Sequence, residues 1–242
     1  MPLILCHSPK GGVGTSFIAA QLAIQLAARG HEVSVLDFTW QDTLKLFFGL
    51  LPTQALPDMA DMAADPIAVA GVELFSAYNL ARTPAFAEAL QQGDRSPFHN
   101  NRVYIADVAA GDRDTRDMLL PHALLHLCTL HPRPASLAVL PKVQPGTPTV
   151  DLPRTLFVLN HIDDTHRLSR HSHIFMRELV GDRLAGTVRR DEAVNEAAAM
   201  FEPLARFAPA SVALADLEKL ALAVERRAGL APHAPESAEN AV

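Results

Sequence analysis

Short apolar runs and longer amphipathic stretches alternate along the chain. The apolar runs predict buried strands at residues 3–6, 32–37, 72–78, 102–108, 123–130, 155–162 and 184–188. Apolar residues at helical spacing predict helices at residues 16–29, 42–50, 83–92, 114–122, 164–180, 191–201 and 214–228. We expect a polar loop at 94–101 and a short helix with an extended connection across the proline-rich residues 132–153. Residues 52–70 show no pattern that assigns them to an element.

This alternation is typical of a three-layer α/β fold, in which a mostly parallel, twisted sheet carries helices on both faces. The chain has 242 residues, of which 49% are hydrophobic, enough for one large core. We therefore predict a single domain over residues 1–228 and a disordered tail at 229–242. Residues 1–6 lack a basic segment and run straight into a glycine-rich stretch, so we interpret them as a strand and not as a signal peptide.

The glycine-rich stretch after the first predicted strand carries the strongest chemical signal. It reads Pro9-Lys10-Gly11-Gly12-Val13-Gly14-Thr15-Ser16, and a predicted helix follows it. A glycine-rich turn between a strand and a helix points backbone N–H groups at an anion, and the helix N-terminus adds positive potential. The sequence therefore predicts a phosphate-binding loop in which the residues from Lys10 to Ser16 contact a nucleotide.

This loop departs from the usual pattern G-x-x-x-x-G-K-[ST], because Thr15 stands at the lysine position. Lys10 instead matches the extra lysine of the loop K-G-G-x-G-K-[ST], so the segment resembles the deviant Walker A loop of the MinD/ParA family. The resemblance implies ATP and Mg²⁺ as ligands, with Ser16 on the metal. It also implies a homodimer that encloses two nucleotides, with Lys10 reaching the phosphates bound by the partner subunit.

Further family landmarks follow in the expected order. Asp37, at the end of the second predicted strand, resembles the first acid of the D-x-D switch I motif, and Thr39 replaces the second acid. Asp107 and Gly111 resemble the D-x-P-P-G segment of switch II, with alanines in place of both prolines. The resemblance implies that Asp37 and Asp107 support Mg²⁺ and that Gly111 contacts the γ-phosphate. Asn160 resembles the asparagine that hydrogen-bonds the adenine.

Two longer segments narrow the resemblance. Residues 36–49 resemble D-x-D-P-Q-N-x-L-R-L-x-F-G, and residues 188–197 resemble I-x-R-D-E-A-V-x-E-A, both from the BcsQ (YhjQ) family of bacterial cellulose-synthesis proteins. This resemblance implies an ATP-binding regulatory or scaffolding component of a cellulose (exopolysaccharide) secretion complex. Such a protein is cytoplasmic and docks on the cytoplasmic side of a membrane cellulose synthase. Because Thr15 and Thr39 replace two residues that serve hydrolysis, we expect an ATPase with slow or absent turnover.

Two other functions stay open at this point. One is a partition or positioning ATPase of the MinD/ParA type, and the other is an ATP-dependent enzyme for small molecules on the same scaffold. The net charge of −6 and the absence of a long basic run make nucleic acid an unlikely partner. No apolar run reaches the roughly 18 residues of a membrane span, so we expect no direct insertion into a membrane. Trp40, within the switch I segment, is interpreted equally as a partner contact or as a hydrophobic plug.

Overall fold

A computed structural model describes residues 2–61, 63–92, 98 and 102–231. Its centre is an eight-stranded sheet in the order β3-β4-β2-β5-β1-β6-β7-β8, in which every neighbouring pair is parallel except β3 and β4. The strands are β1 (Leu3–His7), β2 (Val33–Asp37), β3 (Ile67–Val69), β4 (Val72–Ser76), β5 (Val103–Val108), β6 (Leu125–Leu130), β7 (Thr155–Ile162) and β8 (Leu184–Arg189). The predicted fold class is thereby confirmed.

The described chain contains eight α-helices, of which the last three follow β8. They are α1 (Thr15–Ala28), α2 (Pro84–Gln91), α3 (Arg113–Leu119), α4 (Pro134–Leu137), α5 (Arg167–Val180), α6 (Ala193–Ala199), α7 (Leu204–Phe207) and α8 (Val212–Ala228). None of these helices has the length and apolar character needed to cross a membrane.

The strand predictions hold to within about two residues at each end, and 155–162 holds at both. Other predictions need correction. Residues 42–50 form a 3₁₀ helix at Leu44–Phe48, in which Lys45 is buried and paired with Asp42. The helix predicted at 191–201 is shorter and is followed by a separate turn, α7, and the edge strand β3 lies inside the unassigned stretch 52–70. The loop predicted at 94–101, apart from Phe98, and residues 232–242 of the predicted tail lie outside the described residues.

Alternation along the strands divides the core between the two faces of the sheet. In β1, Ile4 and Cys6 pack with α1 and α8 on one face, whereas Leu3 and Leu5 pack with α2 and α3 on the other. Helix α5 covers the second face further along, over β7. Both faces of the central strands are therefore dry, which explains why their sequences are apolar runs without a polar side.

The parallel strands bring their carboxyl ends to one edge of the sheet. Strand β1 lies between β5 and β6, so the loops after β1 and β5 meet near the middle of this edge, with the loop after β2 next to them. Open α/β sheets bind ligands in such crevices beyond the carboxyl ends of the strands. This arrangement places the predicted phosphate loop, Asp37 and Asp107 together.

Candidate nucleotide-binding site

The loop after β1 has the backbone of a phosphate cradle. Gly14 adopts a left-handed conformation with φ 85°, and a Cβ atom there would lie 2.4 Å from Asn160 Nδ2. Both the conformation and the space therefore require glycine. Helix α1 begins at Thr15 with no side-chain cap and with no acidic residue in its first turn. The first N–H groups of α1 are thus available to an anion.

The loop borders a cavity of about 500 Å³ that three segments of the carboxyl edge enclose. These segments are the phosphate loop with the start of α1, the stretch after β2, and the stretch after β5. The predicted site residues that line the cavity are Lys10, Gly11, Gly12, Gly14, Thr15, Ser16, Asp107 and Gly111. Sequence reasoning did not identify Gln41, Thr43 and Phe47, which line it from the segment after β2. We call this space the nucleotide cavity.

The remaining predicted residues lie beneath or behind the cavity. Val13 is buried, so this residue can offer only its backbone to a ligand. Asn160 is also buried, its Nδ2 donates to the Val13 carbonyl at 2.9 Å, and its Oδ1 accepts from the His161 N–H at 2.9 Å. The amide thus fixes the position of the phosphate loop. Its predicted contact with adenine remains a prediction.

Two buried carboxylates form the floor of the nucleotide cavity, of which Asp107 lines the cavity and Asp37 lies beside Asp107 on the neighbouring strand. Asp37 and Asp107 face each other as register partners on β2 and β5. Asp37 Oδ1 accepts from the Thr39 N–H at 2.7 Å. Among the described residues, Asp37 Oδ2 and both Asp107 oxygens have no hydrogen-bond partner. Buried polar atoms without partners are uncommon and costly, so these oxygens mark a place where a ligand is expected.

Burial perturbs the titration of both acids. The pKa of Asp107 is raised from 3.8 to about 7, mainly by desolvation and to a smaller extent by repulsion from Asp37. The Ser16 hydroxyl lies close enough to lower this pKa somewhat, although it forms no hydrogen bond to Asp107. Desolvation also raises the pKa of Asp37 to about 6, against the hydrogen bonds from Thr39. A nearby cation would reverse these shifts because it favours the charged carboxylates.

The donor set fits Mg²⁺. Magnesium in phosphate sites is typically held by one or two carboxylates or hydroxyls, by the phosphates and by several waters. Asp107, Asp37 and the half-buried Ser16 offer oxygen donors at this floor, and the carboxylate oxygens without partners give the ion a place. These are the three residues that the sequence predicts for the metal.

Several residues around the cavity differ from the predicted picture. Gly111 lies in an ordinary conformation with open space around it, so nothing in its geometry requires glycine. Trp40 is 72% exposed, which excludes the hydrophobic plug. Lys10 is exposed, and within the described chain its ammonium group donates only to the neighbouring Gly11 carbonyl at 3.3 Å.

A second cavity of about 500 Å³ lies at the same edge, beyond β6, β7 and β8. The rings of His131 and His161 stack there, with centroids 4.5 Å apart, and Arg133 and Arg190 also line it. His161 has φ 59° at an irregularity in the pairing of β7 with β8, which turns it out of the regular strand. The segment 188–197 contributes Arg190, but no motif joins it to His131 and His161, because these residues come from three separate parts of the chain. We call it the histidine cavity.

Comparisons with known proteins agree with this geometry. The family model of the CobQ/CobB/MinD/ParA nucleotide binding domain matches residues 4–204. The cell division ATPase MinD of Pyrococcus furiosus superposes with a TM-score of 0.68 at 22% identity, covering 93% of this chain and 99% of that one. The septum site-determining protein MinD of Pyrococcus horikoshii, complexed with Mg-ADP, gives 0.66 at 18% identity over 94% and 97%.

A plasmid partition protein from Borrelia burgdorferi bound to AMPPNP gives a TM-score of 0.66 at 17% identity, over 93% of this chain and 98% of that one. At these identities the superpositions show the fold alone. No curated protein matches the sequence. The family model, however, spans most of the chain and includes the phosphate loop, both acids and Asn160. The chain therefore belongs to the CobQ/CobB/MinD/ParA nucleotide-binding domain family.

Proposed function

We propose that this protein is an ATP- and Mg²⁺-dependent switch that dimerises around bound nucleotide and hydrolyses it slowly. One observation carries the proposal. The nucleotide cavity joins a glycine cradle and an uncapped helix N-terminus to a floor of two buried carboxylates, three of whose oxygens lack hydrogen-bond partners among the described residues. A phosphate chain would accept the N–H groups of the cradle and the helix N-terminus, and its metal ion would bind the carboxylates of the floor.

The chain's own residues have separate tasks in binding. The N–H groups of the loop and of α1 hold the phosphates, with Gly14 allowing the close approach. Asp37, Asp107 and Ser16 would hold Mg²⁺, which supplies positive charge against the phosphate oxygens when bound. The stacked rings of the histidine cavity offer an aromatic surface for the base, with two arginines beside it. Burial lowers the pKa of His131 to about 4, so this ring is neutral near pH 7.

Two exposed side chains support dimerisation across the nucleotide. Lys10 lines the cavity and has no acidic partner among the described residues, so its ammonium group is free to meet phosphates held by a second copy. Trp40 is exposed between Thr39 and Gln41, which both line the cavity. Large exposed aromatic side chains beside a ligand cavity are typical of contact residues.

The cavity is poorly equipped for rapid hydrolysis. Thr15 occupies the position of the phosphate-binding lysine and brings no charge. Thr39 replaces the second switch acid, and its buried hydroxyl cannot take up a proton as a carboxylate does. Within the described part of the chain, Asp107 is the only acid that lines the cavity, and it belongs to the metal floor. Phosphoryl transfer relies on positioning and charge stabilisation, both of which are reduced here.

For the cellular role, we propose a regulatory or scaffolding component of a cellulose synthesis complex at the cytoplasmic side of the membrane. The two segments that resemble BcsQ both lie at the carboxyl edge. Residues from 36–49 line the nucleotide cavity, and residues from 188–197 line the histidine cavity. They also meet structurally, because α6 packs against the 3₁₀ helix Leu44–Phe48. Gly49 continues this contact against Pro203, shortly beyond the second segment. The resemblance therefore concerns the ligand-facing edge and not only the scaffold.

A positioning or partition ATPase is the second candidate, and the family membership favours it. MinD and plasmid partition proteins share this fold over almost their full lengths. The acidic net charge of −6 speaks against the DNA-bound form of this alternative.

Nucleotide binding and oligomeric state test the biochemical proposal. We expect ATP–Mg²⁺ to convert the purified protein from monomer to dimer in light scattering, and ADP to do so less completely. Lys10→Ala should abolish the dimer while ATP binding survives, whereas the control Lys219→Ala on α8 should behave as the parent. A dimer that forms without nucleotide, or that Lys10→Ala leaves intact, contradicts the switch. Steady-state ATPase at the rate of ordinary MinD-like enzymes contradicts slow turnover.

Deletion of the gene in its native host separates the two cellular roles. A cellulose component should lose dye-detected cellulose while septum placement and plasmid retention stay normal. A positioning ATPase should show the reverse pattern, which would overturn the cellulose proposal.

A further inference from the structure

A third cavity of about 210 Å³ lies next to the nucleotide cavity, and Ala110 is the one described residue that lines both. It opens between α3 and the turn at 142–145 that follows β6 and α4. Its other lining residues are His7, Pro9, Arg113, Arg116, Lys142 and Pro145. We call it the cationic cavity. Its volume is far above the roughly 15 Å³ that a single buried water needs.

The base of the cationic cavity contains a buried side chain without a partner. His7 is 1% exposed, and neither of its ring nitrogens makes a hydrogen bond within the described residues. The backbone of Ala110 is near enough to affect its titration but forms no such bond. A neutral imidazole always carries one N–H donor, so an acceptor is missing here. The cavity is where that acceptor can sit.

The walls supply cations and no acid. Arg116 is buried, donates from Nη1 to the Val143 carbonyl at 2.9 Å, and forms an ion pair with the exposed Asp117 at 2.7 Å. Arg113 and Lys142 are exposed at the mouth, and neither forms an ion pair in the described parts of the structure. None of the described residues that line the cavity is an aspartate or a glutamate. Like charges gathered around a small space repel one another unless an anion joins them.

We propose that the cationic cavity binds a small tetrahedral oxyanion, phosphate or sulfate, at a site separate from the nucleotide. His7 donates to the anion from below, and Arg113, Arg116 and Lys142 surround it with charge. Phosphate and sulfate offer acceptor oxygens in several directions, which suits donors that converge from three segments.

The site borders two parts of the nucleotide-binding machinery. Pro9 begins the phosphate loop, and Ala110 lies in the segment after β5 that lines the nucleotide cavity. An oxyanion here therefore contacts both segments from behind. The occupancy of one cavity is expected to alter affinity at the other, by the reciprocity that governs two linked sites.

Binding of inorganic phosphate to the full chain tests the proposal. Isothermal titration calorimetry is performed with saturating ADP–Mg²⁺, at constant ionic strength set with chloride, and repeated with sulfate. The variant Arg113→Gln/Lys142→Gln removes two exposed charges that support no ion pair, so its fold should persist. The control Lys219→Gln/Arg226→Gln removes the same charge from α8. We expect the cavity variant to weaken oxyanion binding by on the order of tenfold or more and the control to leave it unchanged.

A second measurement reports on His7 directly. Nitrogen chemical shifts of the His7 ring should change as phosphate is added to the parent protein, and should not change in the cavity variant. Equal phosphate affinity in parent, variant and control, no binding in any of them, or an unresponsive His7 ring each overturns the proposal. Failure of ADP to bind would contradict the nucleotide switch instead. The oxyanion site is still tested in that case, because the cavity variant changes the cationic cavity and leaves the phosphate loop intact.

Discussion

The nucleotide cavity and the cationic cavity are neighbours, but the floor of the first is acidic and the floor of the second is basic. The first rests on Asp37 and Asp107, two buried acids in which Asp37 Oδ2 and both Asp107 oxygens lack hydrogen-bond partners among the described residues. The second rests on His7, a buried base whose two ring nitrogens lack such partners. Their floors belong to adjacent strands of one sheet. Burial pushes each group toward its neutral form, so it raises the pKa of the acids and lowers that of the imidazole. The difference shows that one edge of the sheet can present a cation site and an anion site side by side.

The largest effect should come from the glycine that joins the phosphate loop to Asn160. Gly14→Ala places a Cβ atom 2.4 Å from Asn160 Nδ2 at φ 85°. Left-handed strain and the forced shift together should lower the free energy of unfolding by about 3–4 kcal/mol. ATP binding should fall below detection in calorimetry, while phosphate binding in the cationic cavity persists wherever the fold does.

Gly146 provides a matched control for that change. It has φ 84°, but a Cβ atom there meets nothing within 4 Å. Gly146→Ala should therefore cost only the conformational part, about 1–2 kcal/mol, and leave ATP affinity unchanged. Equal losses of stability in the two variants would show that the Asn160 contact contributes nothing.

The two cavities also differ in what the sequence could reveal. The phosphate loop is one continuous stretch of sequence, so its glycines, Lys10 and Ser16 together predict the site. Asp37 and Asp107 follow because each ends a predicted parallel strand, and such ends share an edge. The cationic and histidine cavities collect residues from separate loops, and no spacing along the chain joins His7 to Lys142. The contact of Gly49 with Pro203 and the inward turn of Asn160 likewise depend on packing that only the structure supplies.

Removal of a floor acid should stabilise the protein without nucleotide. Asp107 has a pKa raised to about 7, so between about pH 4 and 7 the folded chain keeps a proton that the unfolded chain loses. Ionisation of Asp107 therefore lowers the free energy of unfolding as pH rises, and this effect is complete above about pH 7. Asp107→Asn should raise the free energy of unfolding at pH 8 by about 2–3 kcal/mol and abolish the Mg²⁺ dependence of ATP binding.

Asp37→Asn is the companion to that variant. The pKa of Asp37 is raised only to about 6, and Oδ1 already accepts from Thr39, so its gain in stability should be smaller. Denaturant melts at pH 5 and pH 8 provide the measurement. A gain for Asp107→Asn that is as large at pH 5 as at pH 8 would show that ionisation is not its cause.

Restoration of the missing lysine should increase the affinity of the nucleotide cavity for ATP. Thr15→Lys adds an ammonium group at the consensus position, where one charge-assisted phosphate contact contributes about 1.5–3 kcal/mol. ATP affinity should increase at least about tenfold. Thr43→Lys adds the same charge elsewhere on the cavity wall and should increase affinity much less. Equal gains would mean that net charge alone, and not the loop geometry, governs binding.

The smallest effect should come from His126, whose ring lies 5.9 Å from that of His7, and the sign of its effect on stability is opposite to that of the acids. His126 is buried, and desolvation lowers its pKa from 6.5 to about 4. Below about pH 6.5, His126 binds a proton in the unfolded chain but stays neutral in the folded chain. The stability present above pH 6.5 is therefore lost as pH falls toward 4. His126→Gln removes this titration and should flatten the loss by about 1–2 kcal/mol, measured as free energies of unfolding from pH 7 to pH 4.5. The contribution of Asp107 to the free energy of unfolding increases as pH falls. Asp107→Asn removes this gain, so the free energy of unfolding should fall more steeply in acid. The two variants should therefore change the pH profile in opposite senses, and a shift of both profiles in the same sense would contradict the opposite character of the two floors.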